Sequence, residues 1–117
     1  MDVTAESADL LAMKIGNSIK EASEVRFTLL TNDSKIKLSN FFSEEKDRNI
    51  IVESNMPGVY SIVVEFEKPT DLSSDSILLF IAYDRKEEGE KITINMAESQ
   101  FRSKDAAYHL SNHSIEF

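Results

Sequence analysis

Residues 59–67 read Val-Tyr-Ser-Ile-Val-Val-Glu-Phe-Glu, and this stretch decides the fold class. Every second residue from Tyr60 to Phe66 is apolar, whereas the residues between them are mixed in character and become acidic toward the end. Successive side chains of a β-strand point to opposite faces, so the alternation predicts a strand with one buried face. We expect Pro69 to end this strand, because proline cannot donate a hydrogen bond to a sheet ladder.

The sequence before this segment carries further strand patterns. Apolar residues alternate with polar ones over 25–29 and again over 36–38, and the turn residues 31–34 separate the two runs. Two alternating runs joined by a short turn predict a β-hairpin. Residues 50–53 predict another short strand.

The sequence after this segment contains the longest apolar run of the chain, from Ile77 to Tyr83. A strand that is apolar at every position is typical of the interior of a sheet covered on both faces. Alternation returns over 91–96, and the charged residues 84–90 lie between the two runs. We expect the two runs to form a hairpin with an exposed charged tip.

Two segments favour helix, and the C-terminus is ambiguous. Apolar residues recur at helical spacing over 4–15, which predicts an N-terminal helix that ends at Gly16-Asn17. Residues 103–108 predict one or two helical turns with Ser103 as the N-cap. Residues 114–117 fit either an edge strand or a frayed tail.

Taken together, these elements predict a mainly β fold. About six strands and one N-terminal helix favour an antiparallel β-sandwich or roll, since each sheet needs cover for its apolar face. The alternative is an α+β fold in which the helix packs on a single antiparallel sheet. The length of 117 residues predicts one domain over 1–117.

The charge of the chain limits its partners. There are 21 acidic and 13 basic residues, which gives a formal net charge of -8, and there is no cysteine. Excess negative charge argues against direct binding to nucleic acid and to anionic membranes. The lack of cysteine excludes a disulfide framework, and the acidic start lacks the pattern of a signal peptide. We expect a cytoplasmic protein.

The acidic residues of the central part of the sequence are the candidate site. Residues 50–76 hold five carboxylates and a single lysine. We predict that these carboxylates bind a basic protein surface by complementary charge. They are Glu53, Glu65, Glu67, Asp71 and Asp75. The function that this predicts is that of a non-enzymatic interaction domain, a small acidic inhibitor or immunity-type protein.

Other functions stay open at this point. One alternative is a homo-oligomeric structural or accessory module, and another is a small-molecule-binding β-sandwich. An enzyme is less favoured, because no nucleophile or oxyanion element accompanies the carboxylates. His109 and His113 would share one face of a helix, but no third ligand is near, so we expect no metal and no cofactor.

Overall fold

The computed structural model describes residues 1–7, 9–32, 34–86 and 91–117, and these residues form ten β-strands and no helix. In chain order the strands are β1 (Asp2–Ser7), β2 (Leu10–Lys14), β3 (Ile19–Thr31), β4 (Ile36–Phe42), β5 (Arg48–Met56), β6 (Val59–Leu72), β7 (Ile77–Arg85), β8 (Thr93–Ser103), β9 (Ala106–His109) and β10 (Ile115–Glu116). The prediction of a mainly β chain is therefore confirmed.

The strands belong to two antiparallel sheets. The four-stranded sheet has the order β1-β2-β7-β4, and the six-stranded sheet has the order β10-β8-β3-β6-β5, with β9 paired to β8. The apolar faces of both sheets contribute to one hydrophobic core. This arrangement fits the predicted sandwich, because each sheet supplies the cover that the other requires.

Alternation along the strands produces the core. Every second side chain is buried over 25–29 of β3 and over 60–66 of β6. In the four-stranded sheet, the buried Leu11 and Met13 of β2 lie opposite the buried Ile81 and Leu79 of β7. The buried set of these four strands includes Val25, Phe27, Leu29, Tyr60, Ile62, Val64, Phe66, Leu11, Met13, Leu79, Ile81 and Tyr83. The strand predicted from 59–67 is thus confirmed with its inward face as expected.

The run from Ile77 to Tyr83 is an interior strand, as predicted. It forms most of β7, which pairs with β2 on one side and β4 on the other. Leu78 and Leu79 are both fully buried, so cover on both faces is present at this point. Phe80 and Ala82 are half-buried, so that cover thins toward the end of the strand.

The predicted N-terminal helix is wrong. Residues 4–7 fall in β1 and residues 10–14 in β2, which pair with each other, and Ala8 lies outside the described residues. Leu11 and Met13 of β2 pack at period two against β7, where they lie opposite Ile81 and Leu79. Pairing with the interior strand outweighs the weak helix propensity of this segment.

Both predicted hairpins are wrong in their pairing, although their strands exist. β3 lies in the six-stranded sheet and β4 in the four-stranded one, and β7 and β8 are divided in the same way. Each connection therefore crosses from one sheet to the other. Of the two predicted turns, Asp33 and residues 87–90 lie outside the described residues.

Two further boundaries need correction. β6 continues through Pro69 to Leu72, because the pairing with β3 is irregular between Glu65 and Thr70 and requires no ladder bond from the proline. The helical turns predicted over 103–108 are instead the end of β8, a tight turn at residues 104–105 and the start of β9. The C-terminal segment forms the short edge strand β10, which was one of the two predicted possibilities.

Candidate binding face on the six-stranded sheet

The outward side chains of β3, β6 and β5 form a continuous surface, which we call the outer face. The strand registers align them in rows across the sheet. From one end to the other, the rows are Glu24–Glu65–Asn49, Arg26–Val63–Ile51, Thr28–Ser61–Glu53 and Leu30–Val59–Met56. Side chains that lie opposite one another on paired strands are neighbours, so each row is a set of adjacent residues.

The outer face contains an unusual share of exposed apolar side chains. Leu30 is 38% exposed, Ile51 39% and Met56 64%. These are three of the four large hydrophobic side chains that are exposed among the described residues. An open depression of about 420 Å³ on the same face is lined by Ile51 and Val63 and, from the two rows that flank them, by Glu65 and Glu53.

Charges on the outer face are partly paired and partly free. The Glu24 carboxylate lies 3.3 Å from the guanidinium of Arg26 and 3.1 Å from that of Arg102 on β8. By contrast, Glu53 and Glu65 form no ion pair with any residue that the structure describes. The outer face therefore combines two unpaired carboxylates with a cluster in which one carboxylate lies between two guanidinium groups. It also carries exposed and half-buried apolar side chains, which we call the apolar strip: Leu30, Ile51, Met56, Val59 and Val63.

The structure divides the five predicted carboxylates between two places. Glu53, Glu65 and Glu67 lie on exposed positions of β5 and β6, and the first two line the depression on the outer face. Asp71 and Asp75 line a different open groove of about 400 Å³, where β6 ends and β7 begins. The predicted set is not one contiguous patch, and its role in binding stays a prediction.

Asp71 has a structural task of its own. Its carboxylate accepts a hydrogen bond of 2.9 Å from the backbone N–H of Glu21 and lies 3.8 Å from the Lys20 ammonium. Glu21 has a φ of 51°, a conformation that non-glycine residues rarely adopt. The bond to Asp71 therefore helps hold an irregular segment of β3, which makes this carboxylate less available to a partner.

The sequence prediction missed the apolar half of the outer face. The alternating pattern assigns no role in binding to Leu30 and Ile51 and places Val63 on the mixed face of its strand. A signal was present, however, since each belongs to a run of consecutive apolar residues, as in Ile50-Ile51-Val52. Two apolar residues in succession on a strand place one of them on the solvent side, so such runs mark a hydrophobic outer surface.

The two histidines do not share a helix face. His109 ends β9, and His113 follows in an irregular segment, where its Nδ1 contacts the Asp2 carboxylate. Within the described ranges no group of three or more His, Cys, Asp or Glu residues is arranged to hold a metal ion. The same residues contain no helix long and apolar enough to cross a membrane.

Known structures resemble this two-sheet architecture. A cohesin module from a family 33 glycoside hydrolase of Clostridium perfringens matches with a TM-score of 0.84 at 16% sequence identity, covering 98% of this chain and 91% of that one. The sixth cohesin of scaffoldin B from Acetivibrio cellulolyticus, solved in complex with a dockerin, matches with a TM-score of 0.63 at 14% identity. That match covers 87% of each chain.

No protein-family model and no curated protein matches the sequence. The likeness to the two cohesin modules therefore concerns the fold, which extends over nearly the whole chain in the first comparison. At these identities function does not follow from the fold, and it must be argued from the outer face.

Proposed function

We propose that this chain is a non-catalytic protein-binding module that recognises a small partner protein through the outer face. The observation that carries the proposal is the concentration of exposed Leu30, Ile51 and Met56 on one sheet face. Contiguous exposed apolar surface with a polar rim is characteristic of protein interaction sites. The cohesin in complex with a dockerin supports a partner of dockerin type.

The charges on the outer face support a partner with cationic groups. Glu53 and Glu65 border the apolar strip and have no ion-pair partner among the described residues. Basic side chains of a bound protein would face both carboxylates, while Arg26 and Arg102 remain paired with Glu24. Complementary charge of this kind raises the association rate and selects among partners.

Other parts of the functional prediction have less support. An inhibitor or immunity role and a cytoplasmic location stay predictions, with no feature of the described residues favouring them. A small-molecule site requires a concave and mostly enclosed apolar pocket. The depressions of about 400 Å³ on this molecule are open and lined by charged residues, among them Glu44, Arg48 and Asp71.

The proposal is tested by a variant that changes only the apolar strip. Leu30→Lys keeps an exposed position of β3 and introduces a charge where the partner would lie. The wild-type chain is used to capture proteins from its native host, and the captured protein is identified and purified. Isothermal titration with that purified protein should show at least about tenfold weaker binding to Leu30→Lys, since a desolvated interface core excludes charge.

A control variant tests whether the four-stranded sheet contributes to partner binding. Lys37→Glu changes a charge at an exposed position of β4, on the four-stranded sheet, and should leave the affinity within about twofold because rim and distant charges contribute little. Equal binding by Leu30→Lys and the wild-type chain would contradict the proposal. Weaker binding by Lys37→Glu alone would place the site on the four-stranded sheet and would contradict it too.

A further inference from the structure

We propose that the free edge of β5 pairs with β5 of a second copy of this chain, antiparallel and about a two-fold axis at Ile51. β5 is the last strand on one side of the six-stranded sheet and is hydrogen-bonded only to β6. An unpaired edge presents a row of backbone N–H and C=O groups that can accept another strand.

The direction of each backbone group on β5 follows from the hydrogen-bond pattern. The Glu67 N–H donates to the Asp47 carbonyl at 2.9 Å, so Asp47 and Glu67 form a hydrogen-bonded pair. In the register of β5 on β6, every second residue after Asp47 forms a pair of the same kind, namely Asn49, Ile51 and Glu53. Directly opposed residues of an antiparallel ladder alternate between bonded and non-bonded pairs. The backbone groups of Asn49, Ile51 and Glu53 therefore point toward β6.

The intervening residues of β5 have the opposite orientation. The backbone groups of Ile50 and Val52 point away from β6, toward the free edge. The hydrogen bond from the Thr31 N–H to the Gly58 carbonyl leads to the same result. It shows that the backbone groups of the even-numbered residues of β6 point toward β3, so those of the odd-numbered residues point toward β5. No other residue that the structure describes bonds to these groups of Ile50 and Val52.

The edge of β5 is the least protected edge among the described strands. It pairs with β6 from Arg48 to Glu53 without a bulge. The opposite edge of the sheet consists of β9, with four residues, and β10, with two. In the four-stranded sheet, β1 and β4 each contain a register shift. Short strands and bulges hinder strand addition, and β5 has neither before Glu53.

The sequence of β5 is complementary to itself in one register. When Ile51 lies opposite Ile51 of the second copy, Ile50 lies opposite Val52, and these are the residues whose backbone groups point outward. The two symmetry-related Ile50–Val52 pairs then exchange about four backbone hydrogen bonds. Asn49 lies opposite Glu53, so the carboxylates of the two copies do not face each other.

The side chains favour the same register. The Ile51 residues form a non-bonded pair, in which side chains approach most closely, so two side chains that are each 39% exposed cover one another. The outer faces of the two copies become one continuous surface. Each copy has a net charge of -8, so repulsion opposes pairing and salt should strengthen it.

The experiment measures both the assembly state of the chain and the protection of its backbone amides from hydrogen exchange. Sedimentation equilibrium on the full chain should give a monomer–dimer equilibrium whose association strengthens as salt increases. Amide hydrogen exchange, measured by NMR at low and high protein concentration, should show protection of the Ile50 and Val52 amides that increases with concentration. The amides of Asn49 and Ile51 should be protected equally at both concentrations, because β6 already binds them.

Two substitutions test the register, and a third keeps the test distinct from the proposed function. Val52→Pro removes an outward donor from an edge strand that tolerates proline, and Ile51→Lys places two ammonium groups at the axis. Each should weaken dimerisation by at least about tenfold, since both copies carry the substitution and the dimer therefore loses the same interaction twice. Leu30→Lys, on the same face but away from the edge, should dimerise like the wild-type chain.

Three outcomes would overturn the proposal. The first is a chain that stays monomeric at every salt concentration. The second is a dimer that Val52→Pro does not weaken while its unfolding midpoint is unchanged. The third is protection of Ile50 and Val52 only when the captured partner protein is present, which would assign the edge to that protein. Loss of partner binding in Leu30→Lys with an intact dimer concerns the proposed function alone.

Discussion

The inner and outer faces of β6 differ although apolar residues occur on both. Ile62 is 1% exposed and packs into the core, whereas its neighbour Val63 lies on the outer face beside Ile51. The inner face is occupied by side chains from two sheets, while the outer face has no cover among the described residues. Strand alternation thus divides one apolar sequence into a part that stabilises the fold and a part that is available for recognition.

Two arginines show the same contrast. The side chain of Arg48 is 5% exposed, and its guanidinium donates to the carbonyls of Ile77 and Leu78 at 3.3 and 3.1 Å while it lies 5.0 Å from the centre of the Phe66 ring. It therefore links β5 of one sheet to β7 of the other. Arg26 is 47% exposed and pairs with Glu24 on the outer face.

The largest expected effect comes from exchanging apolar residues for lysine on the two faces of β6. Ile62→Lys should abolish cooperative folding, because a buried ammonium without a partner costs several kcal/mol. Val63→Lys should fold with a loss of less than about 1 kcal/mol, since it is half-buried and water reaches the new charge. Circular dichroism during urea unfolding measures both. A stable Ile62→Lys variant would contradict the assignment of the inner face.

The second effect compares the arginines by replacing each with methionine. Arg48→Met should lower the free energy of unfolding by about 2–4 kcal/mol, because it removes charge-assisted hydrogen bonds in a buried position. Arg26→Met should lower it by less than about 1 kcal/mol, as is usual for exposed ion pairs. Equal losses in urea unfolding would mean that Arg48 does not link the two sheets.

The smallest effect on stability, and a clear one on binding, concerns the unpaired carboxylates. The double variant Glu53→Lys with Glu65→Lys should unfold within about 0.5 kcal/mol of the wild-type chain, since both positions are exposed. Its association rate with the captured partner should fall by about tenfold at low salt, and the difference should shrink as salt screens the charges. Stopped-flow association measures these rates.

A second double variant controls for the overall charge. Glu44→Lys with Asp75→Lys makes the same change in net charge in the groove at the other end of β6. If it slows association as much as the outer-face variant, the effect belongs to net charge rather than to Glu53 and Glu65, and the proposed role of these residues is wrong.

How much of the site was predictable differs from residue to residue. Glu53 and Glu65 could be found, since alternation along a strand assigns their side chains to solvent. The presence of Ile51 and Leu30 on the same outer face could not, because it depends on β6 lying between β5 and β3. Asp71 was grouped with them by sequence distance alone, and its bond to the irregular backbone at Glu21 is a contact across 50 positions of the chain.

The sequence by itself determined the period-two strand over 59–67, the interior position of Ile77–Tyr83 and the net negative charge, because these depend on local alternation and composition. Only the tertiary structure decided that residues 4–7 and 10–14 are extended, that β3 and β4, like β7 and β8, lie in opposite sheets, and that the edge of β5 is free. The physical reason is that a strand is stabilised by the backbone hydrogen bonds and the side-chain packing that neighbouring strands supply. Which strands pair depends on the burial of apolar faces across distant parts of the chain, and no local pattern records that choice.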